Sequence, residues 1–143
     1  MALDLATFLP YRLANLASKM SEEFADVYQQ QSDLTIPQWR ILFNLAQCGQ
    51  SHAKALCQQA GMDKSTVSRA IKSLIDKRYV VSLVNPQDKR ASLLALSHEG
   101  LSLYQQLAPA ALAWEQNLLA SLTGDEYATL LSCLDKLHTK LEA

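Results

Sequence analysis

Lys64, Ser65, Thr66, Ser68, Arg69 and Lys72 crowd into one short segment whose other members, Val67, Ile71, Leu74 and Ile75, are aliphatic. On a wheel turning about 100° per residue the two groups separate. Ile71, Leu74 and Ile75 stay on the side of Val67, while Ser65, Arg69 and Lys72 fall opposite, flanked by Thr66 and Ser68. Such a face suits duplex DNA. Hydroxyls and helix-start amides meet phosphate oxygens, and a guanidinium offers a planar fork to the two acceptors of guanine. Lys72, one turn on, reaches a base or a phosphate. In isolation the same pattern describes a merely solvated basic face, so the reading depends on the elements that position it.

Asp63 can cap this helix, which is expected from Lys64 to about Lys77. Before it, Gly61-Met62-Asp63 makes a turn after a shorter helix that Ser51 can cap, running through Ala60 and packing Ala53, Leu56 and Cys57. Two short helices across a turn containing glycine have the spacing of a helix-turn-helix. After it, Tyr79 to Val84 and Ala91 to Leu96 read as two strands joined by Asn85-Pro86-Gln87-Asp88-Lys89-Arg90, a hairpin with a basic tip. An extended arginine on such a tip can enter the minor groove, where narrow A·T tracts concentrate negative potential.

Leu9, Leu13, Leu16, Ala17, Met20, Phe24 and Val27 step by three and four, predicting an amphipathic helix from near Pro10 to about Tyr28. Thr35, Pro37 and Gln38 form the cap, early proline and capping box of a second, which carries Trp39, Leu42, Phe43 and Ala46 inward and stops near Gly49. Ser97 can start a long fifth helix to about Leu122, apolar at Leu101, Tyr104, Ala108, Ala111, Leu112, Leu118 and Leu119, with Pro109 predicting a kink. A second capping box at Thr123-Gly124-Asp125-Glu126 begins a sixth helix. Its stripe of Tyr127, Leu130, Leu131, Leu134, Leu137 and Leu141 needs a partner surface.

The chain of 143 residues fits one domain. At 49% apolar and 19% charged residues, with four Gly and four Pro, it is neither disordered nor a fibrous repeat. Its net charge of −1 hides an asymmetry: residues 51–100 carry a local +4 between flanks of −2 and −3. The start Met-Ala-Leu-Asp-Leu has an acid where a signal peptide needs base, and no long apolar run follows, so a cytoplasmic location is expected. Cys48, Cys57 and Cys133 are odd in number and form no CxxC pair; buried, reduced packing roles are expected. There is no Gly-rich phosphate loop, GxSxG or HExxH, and His52, His98 and His138 are scattered. Cys48 and His52 straddle a loop rather than one helix face. No enzymatic activity, cofactor or metal is therefore expected.

Taken in order, Leu34-Thr35-Ile36-Pro37-Gln38-Trp39-Arg40-Ile41-Leu42, Met62-Asp63-Lys64-Ser65-Thr66-Val67-Ser68-Arg69 and Asp88-Lys89-Arg90 make the chain resemble the MarR (multiple antibiotic resistance regulator) family of bacterial transcriptional regulators. The resemblance spans nearly the whole chain. It implies a mainly α fold with a small β-hairpin wing: a winged helix-turn-helix lobe at 33–97, and a discontinuous helical dimerisation region at 1–32 and 98–143. It further implies a homodimer, its first, fifth and sixth helices interlocked, that represses from a palindromic operator. In the family, the position matching Arg90 enters the minor groove and the one matching Asp88 braces the wing through an ion pair. A small aromatic or phenolic effector is usual, in a pocket that Tyr11, Arg12, Trp39 and Phe43 could line. Where relatives have glycine after the recognition helix, this chain has Lys77-Arg78-Tyr79, and Tyr79 is a poor occupant of a left-handed cap. Two other readings stay open: a winged helix that docks an acidic protein, and a regulator that responds to thiol oxidation at Cys48. The family's thiol sensors use a cysteine on the first helix, and residues 1–47 contain none.

Overall fold

In the computed structural model, which describes residues 2–87 and 92–143, the chain runs α1 (Leu9–Tyr28), α2 (Ile36–Cys48), β1 (Gln50–Ser51), α3 (Ala53–Ala60), α4 (Lys64–Asp76), β2 (Val80–Leu83), β3 (Leu93–Leu96), α5 (His98–Leu119) and α6 (Gly124–Glu142). This is the mainly α, winged-helix architecture. Both expected capping boxes form: Thr35 with Gln38 opens α2, and Thr123 with Glu126 opens α6. Each satisfies two helix-start donors that would otherwise lack partners. Pro109 lies inside α5, which runs on through it.

Leu34, Ile41, Leu42, Leu45, Leu56, Val67, Leu74, Val80 and Leu94 are buried together, so α2, α3, α4 and the sheet share one core. The last turns of α1, through Phe24, Ala25 and Tyr28, and the first half of α5, through Leu103 and Leu107, close over it. Leu101 and Leu112, two of the apolar positions expected along α5, are both exposed. That helix is apolar on nearly every side, so its periodicity does not single out a face.

The sheet has a strand that the sequence reading missed. Its order is β1-β3-β2, all antiparallel, with Gln50 opposite Ala95, Ser51 opposite Leu94, and Val80 opposite Leu96. Two residues are too few for an alternating pattern to be visible. Because Ser51 is buried in that pairing, the cap of α3 passes to His52, whose Nδ1 accepts the Ala55 N–H at 3.2 Å. Ala53 is exposed and only Leu56 of that helix is fully buried. Gly61 ends α3 at φ 64°, a left-handed conformation that side chains resist, and so turns the chain into α4.

At the other end of α4 the left-handed residue is Arg78, at φ 68°, and not Tyr79. Arg78 N–H donates to Ile75 O and Tyr79 N–H to Leu74 O, each at 2.9 Å, the paired closure of a Schellman turn. Tyr79 is thereby released into β2. Its carbonyl accepts the Ser97 N–H at 3.0 Å, and the Ser97 hydroxyl donates to Arg78 O at 2.6 Å while accepting the Gly100 N–H at 3.0 Å. A Cβ on Gly100 would overlap the Tyr79 carbonyl, so this approach of α5 to the end of α4 requires glycine.

Two substitutions test this junction in urea unfolding. Arg78→Gly should raise stability by up to about 1 kcal/mol, since it removes a left-handed side chain costing roughly 1–2 kcal/mol and restores some backbone entropy to the unfolded state. Gly100→Ala should lower it by about 1–3 kcal/mol or more.

Candidate nucleic-acid interface

The start of α4 is fixed by Asp63. Its Oδ1 accepts the Thr66 N–H and its Oδ2 the Thr66 hydroxyl, both at 2.8 Å. These two bonds, the backbone one foremost, hold the Asp63 carboxyl below the usual carboxylate range. Thr66 is therefore a half-buried capping partner whose hydroxyl proton is committed to Asp63. Lys64, Ser65, Ser68, Arg69 and Lys72 are exposed, and Val67, Ala70, Ile71 and Leu74 are buried behind them. Ile75, expected inward, is 38% exposed. It lies at the edge of the apolar arc, where α4 borders a cleft beside β3.

Arg69 Nη1 donates to Ser65 Oγ at 3.0 Å, one turn back. The bond lays the guanidinium along the helix and leaves its remaining N–H groups for an acceptor outside the protein. The outward face is thus hydroxyls and cations without a large apolar side chain. That composition favours a polyanion over an apolar partner.

What sets the azimuth of that face is Gln38, a residue read from the sequence only as a cap. It is 6% exposed. Its Oε1 accepts the Thr35 N–H at 3.1 Å and the Lys77 Nζ at 2.9 Å, while its Nε2 donates to Ser73 Oγ at 3.0 Å. Lys77 also donates to Asp33 O at 3.2 Å and pairs with the Asp33 carboxylate at 3.4 Å. The beginning of α2 is thereby pinned to the last two turns of α4. The only signal for this in the sequence is a lysine at the end of one helix and an amide at the start of another.

Asp88, Lys89 and Arg90, the expected wing contacts, lie outside the described residues. The strands on either side of them, β2 and β3, pair in the sheet above, and β2 packs against α4.

The four residues expected to line an effector pocket fall in two places within the chain. Tyr11 and Arg12 are on the exposed part of α1, bordering a shallow hollow with Leu5, Asn15, Leu16 and Lys19. Trp39 and Phe43 belong to an edge-to-face aromatic chain: Phe24 to Trp39 at 5.0 Å, Trp39 to Phe43 at 5.3 Å, Phe43 to Tyr104 at 5.2 Å. Beside it is a hollow of about 370 Å³ among α1, α2, α5 and α6, walled by Phe24, Trp39, Trp114 and Tyr127. Its cation is Arg40, which sits 6.0 Å over the Trp39 ring and donates to Ser21 Oγ at 3.3 Å. The sequence pattern did not single out Arg40, since a charge within an inward-facing run looks like an interruption of it. Two buried donors of the aromatic cluster, Tyr28 OH and Trp39 Nε1, have no partner among the described residues.

Cys48 and Cys133 are exposed and Cys57 is half-buried, so the expectation of three buried cysteines fails: Cys48 ends α2 and Cys133 stands on α6, which buries nothing within the chain. Among the described residues no helix is long and apolar enough to cross a membrane.

The family model described as "MarR family" matches residues 32–91. The chain is 27% identical to the multiple antibiotic resistance protein MarR of Salmonella typhimurium over 127 residues, 88% of each chain. A MarR/EmrR family transcriptional regulator from an Acinetobacter species superposes with a TM-score of 0.89 at 26% identity, covering 98% of this chain and 99% of that one. A mutant MarR from Escherichia coli complexed with operator DNA superposes at 0.77 with 25% identity, covering 95% of this chain and 99% of that one.

The phenol of Tyr28, 1% exposed, reports on how tightly the aromatic cluster is packed. Burial pushes its pKa from 10.0 up to about 12. Below pH 10 the phenol is protonated in both folded and unfolded chains. Between pH 10 and about 12 the unfolded chain loses the proton first, so stability must fall as pH rises through that window. Tyr28→Phe should make the fall shallower in alkaline denaturation. At neutral pH it should cost little, because the lost hydroxyl has no partner.

Proposed function

We propose that the chain is a MarR-family transcriptional regulator that acts in the cytoplasm as a homodimer on a palindromic operator. In this reading the winged lobe at 33–97 is the DNA-binding unit, and 1–32 with 98–143 is the dimerisation region. α4 enters the major groove through Ser65, Ser68, Arg69 and Lys72, with Lys64 and Thr66 at its start. The wing reaches the minor groove with Lys89 and Arg90, braced by Asp88. The observation that carries the reading is the outward face of α4, with Arg69 held against Ser65 and an aliphatic back buried in the lobe.

Surface area supports the dimer. The chain exposes 10150 Å², about 40% above the roughly 7,400 Å² expected of a compact monomer of its mass. Much of the excess is apolar. No residue of α6 is buried, and Leu9 and Leu13 of α1 share a groove of about 360 Å³ with Leu134, Leu137 and Leu141 of α6. A second copy is the natural cover, placing two α4 helices about a two-fold axis. The regulator is released by a small aromatic or phenolic effector. The hollow beside Trp39, lined by Arg40 and Glu115, suits a planar aromatic molecule with a carboxylate or phenol, since the guanidinium can pair with an anionic group in plane, Glu115 can accept from a hydroxyl and the aromatic walls take the ring. Tyr11 and Arg12, remote within one chain, join that site only through the second copy.

Selecting bound fragments from random DNA tests site, symmetry and dimer together. A two-fold symmetric consensus is expected; an asymmetric one or none defeats the proposal. On that operator Arg69→Ala should cost about 1–3 kcal/mol per half-site and relax preference at one base pair. Arg90→Ala should weaken binding without changing the major-groove preference. Affinity should fall by about three to five decades from 50 to 200 mM salt if the dimer neutralises roughly six to ten phosphates.

A further inference from the structure

A cleft of about 500 Å³ opens between the start of α3, the exposed edge of α4 and the sheet. His52 and Lys54 stand on one bank, Ser68 and Lys72 of α4 on the other, above a floor that includes Ile71 and Leu94. Neither lysine is in an ion pair among the described residues. Asp76, the one carboxylate at the cleft, lies a turn beyond Lys72, toward the end of α4. The mouth therefore offers two ammonium groups that form no ion pair among the described residues, against one carboxylate a turn away, and several hydroxyls beside the face that carries Arg69. From the sequence Ser68 and Lys72 are expected DNA contacts, whereas His52 and Lys54 are assigned none.

His52 adds a specific chemistry. Its Nδ1 accepts the Ala55 N–H, so it carries no proton, and the ring N–H is at Nε2. The cap thus fixes the tautomer and leaves one neutral donor for an external acceptor. In a helix-turn-helix the first helix crosses the sugar-phosphate backbone while the second enters the groove. A polyanion lying along α4 accordingly passes the cleft mouth.

We infer that His52 and Lys54, with Lys72 across the cleft, form a second clamp on the phosphate backbone, with His52 donating from Nε2 as a neutral group and the lysines as charges. The inference rests on the reading of α4 as the DNA-contacting helix. It goes further by assigning α3 a contact of its own and by separating two kinds of phosphate contact. Each lysine displaces a counterion, whereas a neutral donor adds a hydrogen bond and displaces none.

Fluorescence anisotropy on a salt series, with both the selected operator and a random-sequence duplex, distinguishes them. His52→Asn keeps a good helix cap but cannot reach across the cleft, so its melting temperature should match the parent. It should bind about fivefold more weakly per protomer at every salt concentration with an unchanged slope, the loss of one neutral hydrogen bond. Lys54→Gln should reduce the salt slope by about 0.9 per protomer. Both losses should be equal on the two duplexes, because backbone contacts carry no base information. An unchanged slope in Lys54→Gln, or an unchanged affinity or altered slope in His52→Asn, overturns the clamp. If the parent chain binds neither duplex, the reading of α4 itself fails, a result distinct from failure of the clamp.

Discussion

A single buried amide fixes how the outward face of α4 is presented. Gln38 has its oxygen and nitrogen committed to Thr35, Lys77 and Ser73, and a group so far from water cannot release them without leaving donors and acceptors unsatisfied. Rotating α4 about its axis, or sliding it along α2, would break these bonds together. Leu42, Val67 and Leu74 belong to the apolar core that supplies most of the cohesion of the lobe, but apolar packing is non-directional and tolerates small rotations. The polar network is what distinguishes one azimuth from its neighbours, and the azimuth decides whether Arg69 or Ala70 faces a ligand.

The two halves of the chain are stabilised differently. Between Leu34 and Leu96 most large apolar side chains of the described residues find cover within the same chain, Ile75 and the outer residues of β2 excepted, helped by the aromatic contacts that bring α1 and α5 against α2. Towards both ends cover is lacking: the first turns of α1 and all of α6 bury nothing. A helix as amphipathic as α6 gains little as an isolated rod in water, since helices of its length are held mainly by the packing of their apolar face. The capping box at Thr123 and the acids at its first turn stabilise its start, but they do not replace a packed face.

Most of the architecture was legible because local signals agreed with the global fold. Thr35 with Gln38, Asp63, Ser97 and Thr123 each marked a helix start that the structure keeps, and the β-branched run at Tyr79–Val84 marked the wing. The outward set on α4 was legible for the same reason, its small polar residues and aliphatics dividing cleanly around the helix. The misses came from tertiary choices. β1 exists only because β3 is there to pair with it, and that pairing moved the α3 cap from Ser51 to His52. Arg78 adopts the left-handed turn where the chain closes α4, and Tyr79, the residue before β2, then offers its carbonyl to Ser97. The roles of Gln38 and Arg40 depend on partners 35 and 19 residues away, separations that no local pattern encodes.

The close fit of Gly100 beneath the Tyr79 carbonyl has a mechanical consequence. α5 leaves that point as a rod of 22 residues, about 33 Å long at the usual rise, so a sideways shift of about 3 Å at its far end tilts its root by only about 5°. The fulcrum is stiff, because Ser97 bonds to Arg78 and Tyr79, the two residues that terminate α4. A displacement near Trp114 therefore arrives at the base of α4 reduced in amplitude but increased in force. Movement of this kind changes the orientation of α4 without unfolding either element.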